Sequence, residues 1–419
     1  MCRQLRRYCA VGTLLLFPIT LAACTSSGQV VPQSATSEDA ASFARQGFGG
    51  WVAYLSQGPF GAQCNIPLPT SGIEIVTASG DVLRSLPIDS LAMGLDDAGN
   101  LYNLYSVPSP AGCGLNRTDA VLQRYAPGST KPNATYQTAL NTDDVQTSGA
   151  GEVAAFSATL TPTGDTLNVG VWHPGAAGGP PSYSLTAAQS CYAFDLHHDG
   201  TIYLPQYVNG TSSYAVYPPG RATPARTIPE TIVPPSQQAN FCANYMTVGR
   251  DGTLYVTEYT DFQPDPLAGL YIYSPDGKER FVATTSDSNG PGPEGVDVDA
   301  AGNIYVANNN NAVTINSSGD LVYQSDSLHD VEVFAPGGRS VLRHITGDFD
   351  PIAVGVTPDG TVFFTSFSIA KAPIVSVVYG TFAATPGSMA AIRVAESGGN
   401  SIVLYDGRQE TAASIDRIP

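Results

Sequence analysis

Between residues 91 and 363 the chain keeps returning to one short pattern: alternating apolar residues, a turn centred on glycine, then an apolar-aromatic run. Residues 91–102 (Leu-Ala-Met-Gly-Leu-Asp-Asp-Ala-Gly-Asn-Leu-Tyr) are the first clear copy, followed by 192–203, 245–255, 295–306 and 353–363, with a weaker copy at 156–167. Each reads as a tight hairpin. Alternation marks strands with one buried face, Asp and Asn side chains bond the turn backbone, and glycine takes the positive φ that a Cβ opposes. The turn glycines fall at 99, 164, 200, 252, 302 and 360, at intervals of 65, 36, 52, 50 and 58. Such uneven spacing excludes a solenoid with a fixed rung, and intervals near 50 predict propeller blades.

A second recurring hairpin interleaves with the first, at residues 73–83, 122–128, 214–220, 270–277, 331–338 and 402–407, and is expected to supply outer strands. The expected fold is therefore an all-β propeller of antiparallel four-stranded sheets. Six inner hairpins plus an N-terminal unit (51–55 with 73–86) give seven blades. The short interval after Gly164 keeps six as the alternative. Ring closure is expected to join strands from both chain ends, because an open seam exposes strand edges. Composition agrees: 43 Gly, 32 Pro, 21 Tyr and 13% charged residues suit many turns and short aromatic-bearing strands.

These repeats resemble those of NHL-repeat and SMP-30/gluconolactonase-like propellers, over about residues 50 to 415. The resemblance is specific for architecture and weak for activity. Lactonase-like relatives hold a divalent cation with a Glu, Asn and Asp set drawn from several blades. Glu294, in Gly-Pro-Glu-Gly-Val-Asp, resembles their acidic position, and its partners cannot be matched residue by residue.

The N-terminus carries an address. Arg3, Arg6 and Arg7 precede an apolar stretch at 10–23, too short to span a bilayer and suited to a signal-peptide core. It ends in Leu21-Ala22-Ala23-Cys24, which resembles the lipobox of bacterial lipoproteins, with the Cys24 thiol as acceptor for a diacylglyceryl group. Thr25 lacks the Asp that retains many such proteins in the inner membrane, so an outer membrane, where the host has one, is the expected location. The expected organisation is a leader at 1–23, a flexible tether at 24–48 of small polar residues, and the propeller at 49–419.

Net charge is −17, and losing three leader arginines makes it −20. A surface this acidic repels phosphate backbones and anionic lipid headgroups, and excludes nucleic acid as a partner. Apart from the leader cysteines and Cys24, four cysteines remain, an even number in an exported chain. Cys191 and Cys242 precede inner strands, while Cys64 and Cys113 lie in long loops between a blade's middle strand and its outer hairpin. Equivalent loops of neighbouring blades are neighbours in space, which predicts Cys64–Cys113 and Cys191–Cys242.

Catalytic signals are sparse. The sequence has no serine elbow, HExxH, Walker loop or dinucleotide fingerprint, and His197-His198 reads as a solvated turn. Its Asp-x-x-Gly turns lack the ligand run of a calcium loop, and Asn308 to Asn311 read as a turn. Positions expected at the channel rim, where inner strands begin, are Tyr192, Asn244, Tyr245, Glu294 and Asp350. The leading expectation is a binding module for an unidentified protein or glycan partner, without a cofactor. A hydrolase or lactonase using Glu294 and a divalent cation is one alternative, and a ligand-free structural propeller is another.

Overall fold

The computed structural model describes residues 52–416 except for 58–71, 89, 108–118, 140–141, 160–165, 189–192, 235, 237, 239–242, 259–267, 277, 285–291, 310, 316–320, 326–329, 348, 350, 371–375, 396–401 and 406–414. Cys24, Cys64, Cys113, Cys191, Cys242, Tyr192 and Asp350 lie outside the described residues. The described chain forms a seven-bladed β-propeller of antiparallel four-stranded sheets, and its one helical element is a 3-10 turn at Pro336–Gly338.

From the axis outward, blade 1 is built from Ala92–Leu95, Leu101–Val107, Asp119–Tyr125 and Pro132–Tyr136. Blade 2 is Thr142–Thr147, Val153–Thr159, Thr166–Trp172 and Tyr183–Ala188. Blade 3 is Asp195–Leu196, Ile202–Val208, Thr211–Tyr217 and Arg226–Pro229. Blade 4 is Ala243–Val248, Leu254–Glu258, Gly269–Tyr273 and Glu279–Val282. Blade 5 is Gly292–Val298, Ile304–Asn309, Asp330–Phe334 and Val341–Thr346. Blade 6 is Pro351–Val356, Val362–Ala370, Ser376–Ala384 and Ile392–Ala395.

Blade 7 closes the ring with strands from both ends. Its inner strand, Ile402–Tyr405, pairs with Val52–Gln57, and Gly72–Thr77 and Val82–Leu86 complete it. The 402–407 copy, expected as an outer strand, is therefore an inner one. A short strand at Ile415–Asp416 adds to its axial edge.

Blade 2 also differs from the expected arrangement. Residues 156–167 span its second and third strands, not its inner hairpin. The inner turn is 148–152, where Ser148 takes the role of Asp: the Glu152 amide donates to Ser148 Oγ at 3.0 Å and Gly151 has φ +83°. With Gly151 in place of Gly164, the turn glycines recur at intervals of 52, 49, 52, 50 and 58. Asp96 and Asp299 show the acidic version of the turn. Each accepts from the Asn four residues on and from the Tyr six residues on, Tyr102 or Tyr305.

The core lies between blades rather than at the axis. Phe156 of blade 2 stacks on Phe194 at the start of blade 3, with centroids 5.5 Å apart, and Tyr136 meets Trp172 edge-on across blades 1 and 2. Burying each such ring contributes about 1.5–3 kcal/mol. Arginines stitch the outer ring. Arg84 donates to the Gly128 carbonyl, Arg226 to Pro275 and Arg343 to Ser388, each reaching the outer turn of the following blade at 2.8–3.1 Å.

This topology makes the two faces unequal. Inner strands begin on one face, here the loop face. There the second strands end and the third strands begin, at Gln57 and Gly72, Val107 and Asp119, Thr159 and Thr166, Glu258 and Gly269, and Ala370 and Ser376, and in blade 5 the hairpin Asn311–Ile315/Leu321–Ser325 falls between them. Only blade 3 makes a two-residue turn there, Asn209-Gly210, both at positive φ. The opposite face carries the short glycine turns.

Candidate functional site at the inner-strand bulges

The loop-face ends of the inner strands share one irregularity. The ladder of inner and second strands slips between Thr142 and Asp144 in blade 2, Ala243 and Tyr245 in blade 4, Pro293 and Val296 in blade 5, and Pro351 and Ala353 in blade 6. Each slip leaves one or two residues without a ladder partner: Asp143, Asn244, Glu294 with Gly295, and Ile352. Bulges re-aim side chains and favour functional rims. Asp143, Asn244, Glu294 and Ile352 each stand eight residues before their blade's turn glycine, and Tyr192 and Leu91 hold that position in blades 3 and 1. In the sequence this position thus reads Leu, Asp, Tyr, Asn, Glu, Ile from blade 1 to blade 6, polar over blades 2–5 with neither Lys nor Arg among them.

Blade 4 and blade 6 hold the blade 5 bulge from both sides. Asn244 Nδ2 donates to Glu294 Oε2 at 2.8 Å and approaches the Pro293 carbonyl at 3.3 Å. Thr257 Oγ1 donates to the Glu294 main-chain carbonyl. Toward blade 6, a Cβ on Gly295 would meet the Val354 nitrogen at 2.8 Å and the Ile352 carbonyl at 2.9 Å, so only glycine lets the two backbones come this close. Glu294 is 6% exposed. The bulge is thus contacted on both sides, the kind of support a recognition site needs.

Behind it lies a buried polar layer. Asn308, opposite Pro293 in the ladder, donates to Asp330 at 2.9 Å and approaches Glu332 at 3.3 Å, and His344 Nδ1 lies 2.6 Å from Asp330 Oδ2. Asn308 and Asn309 thus belong to a strand, correcting the turn reading, and Asn308 is fully buried.

Of the expected rim residues, the structure brings Asn244 and Glu294 together. Tyr245 is 8% exposed and packs in the apolar cluster with Tyr255, Val296 and Val306, which makes it a core residue. Sequence reading missed Asp143, because placing the blade 2 turn at Gly164 hid its equivalence. His198 sits on the turn face, 3.5 Å from Asp97, both partly exposed. Among the described residues no group of three His, Cys, Asp or Glu side chains is arranged to hold a metal ion. The Asn244 amide nitrogen faces Glu294, and a cation at this pair would require the amide to present its oxygen instead.

No protein-family model matches the sequence, and no curated protein matches it either. Solved structures match by fold. A candidate 6-phosphogluconolactonase from Bacteroides uniformis is 12% identical over 82% of this chain and 95% of that one, with a TM-score of 0.53. Hydrazine synthase from Kuenenia stuttgartiensis is 11% identical over 77% and 89%, with a TM-score of 0.49. The β-propeller domain of the Trilobed protease from Pyrococcus furiosus is 12% identical over 78% and 94%, with a TM-score of 0.41. At such identities the likeness extends to the fold alone.

Proposed function

We propose that this chain is an envelope-anchored lipoprotein whose propeller binds a protein or glycan partner through its loop face. The observation that carries the reading is the set of bulged inner-strand starts in blades 2, 4, 5 and 6 on the loop face, with Asn244 and Glu294 joined across blades 4 and 5. Asn and Glu suit hydroxyls, amides and cationic groups. An anionic ligand would meet the Glu294 carboxylate. Cys24 supplies the anchor in this reading, supported by the leader's charge, apolar core and small residues in order.

One observation favours a second reading, a lactone hydrolase: Asn244 and Glu294 meet at matching starts of neighbouring inner strands, where lactonase-like propellers place metal ligands. The described residues supply only these two groups to it.

Photo-crosslinking in cells separates the readings. A crosslinker at Val208 or Thr211, on the loop face, is expected to give a discrete adduct that one at Lys131, on the turn side, does not. Equal adducts from both faces, or none from either, would count against the binding reading. Lactone hydrolysis that requires a divalent ion and is lost in Glu294→Gln would establish the hydrolase instead.

A further inference from the structure

Six large apolar side chains are strongly exposed among the described residues: Val82, Val208, Val341, Leu342, Met389 and Ile392. Val208 is on the loop face. The other five lie on consecutive blades, at the turn-face ends of the outer strands of blades 5, 6 and 7 and in the turn that enters the blade 6 outer strand. Neighbouring blades meet beside them: Arg343, next to Leu342, donates to the carbonyl of Ser388, next to Met389, and a Cβ on Gly80 of blade 7, two residues before Val82, would touch Val394 of blade 6, two residues after Ile392.

Charge is inverted along this arc. Residues 78–86, 335–346 and 385–395 contain Arg84, Arg339, Arg343 and Arg393 against a single carboxylate at the surface, Asp81, in a chain with 36 acidic residues and 19 basic ones. Arg84 and Arg343 use part of their guanidinium on neighbouring turns. The first described strand also starts here. Val52 pairs with Tyr405, whose hydroxyl lies 3.0 Å from where a Cβ on Gly99 would stand in a glycine turn, so the chain enters blade 7 at the turn face.

We infer that this arc rests on the headgroup region of an anionic phospholipid membrane, holding the loop face outward. The inference builds on the Cys24 anchor. Residues 25–51 can reach at most about 90 Å, and they join the domain on the face that bears the arc. Exposed apolar side chains rimmed by arginine suit a lipid interface, where apolar burial and phosphate attraction act together. Exposed carboxylates elsewhere on the turn face belong to the inner turns, nearer the axis (Asp97, Asp199, Asp251 and Asp359), or to the outer turn of blade 4 (Asp276), so contact is expected at the rim of blades 5–7.

The test uses the mature chain with a hexahistidine tag in place of Cys24, held on nickel-chelating vesicles of 3:1 phosphatidylethanolamine and phosphatidylglycerol. Amide hydrogen exchange in 339–344 and 387–393 is expected to slow at least threefold against free protein, while 206–212 stays unchanged. The triple variant Leu342→Ser, Met389→Ser, Ile392→Ser should lose that protection with unaltered thermal unfolding. Unchanged rates in both arc segments, or equal slowing at 206–212, would overturn the inference. Because the tag replaces the acyl group, protection seen here while native Cys24 takes up no fatty acid would support the surface and refute only the natural anchor.

Discussion

Asn244 and Glu294 occupy the same position in successive repeats, each eight residues before its blade's turn glycine, and their side chains meet at 2.8 Å across the boundary between blades 4 and 5. Two bulges thereby become one site. The bond links the ring's architecture to its candidate chemistry, since both inner strands have slipped out of register where it forms.

Removing that donor leaves a nearly buried carboxylate with less compensation. Asn244→Ala is expected to cost about 1–3 kcal/mol. A double-mutant cycle with Glu294→Gln should show coupling of about 1 kcal/mol or more by chemical denaturation. Additive single-site effects would mean that the contact contributes nothing specific.

Gly295→Ala tests how closely blades 5 and 6 approach. The new Cβ would fall within 3.0 Å of Ile352 and Val354 backbone atoms, which cannot swing aside as a side chain can. A loss of about 1–3 kcal/mol is expected, with distortion of the bulge. Gly151→Ala should also destabilise, by strain at φ +83° and by crowding Asp96 Oδ2 at 3.1 Å. Unaltered melting of either variant would contradict the packing described.

Burial holds the Glu230 carboxyl above its ordinary value, against the lowering effect of the Tyr273 hydroxyl and the Val233 amide. The folded chain therefore retains a proton at pH values where the unfolded chain has released it. This contribution to stability is complete below about pH 4.5 and is lost as pH rises through the raised folded value. Glu230→Gln keeps an oxygen for the Ile232 and Val233 amides and removes the titration. Its melting temperature should fall less between pH 4.5 and 7 than that of the wild type. An unchanged slope would assign the effect to other groups.

The four propeller cysteines fall in segments that leave and re-enter on the loop face, two in second-to-third connections of adjacent blades 7 and 1, two ahead of the inner strands of blades 3 and 4. Peptide mapping of oxidised protein is expected to recover Cys64–Cys113 and Cys191–Cys242. Recovery of Cys64–Cys242, or of four free thiols, would reject the pairing.

Local chemistry and ring closure by strands from both chain ends were legible in the sequence, and the identity and register of the paired strands were not. Turns with Asp or Asn before glycine announced the inner hairpins of blades 1, 3, 4, 5 and 6. Blade 2 escaped because Ser148 replaces the acidic residue while Gly164, between its second and third strands, imitates the signal. Ile402–Tyr405 looked like an outer strand because its partner, Val52–Gln57, lies at the other end of the chain. The bulges were invisible because register belongs to a pair of strands. Thus Asn244 and Glu294 were found through their place at strand starts, Asp143 was missed, and Tyr245, one residue past a bulge, was taken for a rim residue although it packs in the core.

Metabolic labelling with an alkynyl fatty acid tests directly whether the propeller is acyl-anchored. The full chain should carry the label and fractionate with membranes, while Cys24→Ala should lose the label and yield a propeller with unaltered thermal unfolding. Label persisting in Cys24→Ala, or an unlabelled wild-type chain in the soluble fraction, would contradict it.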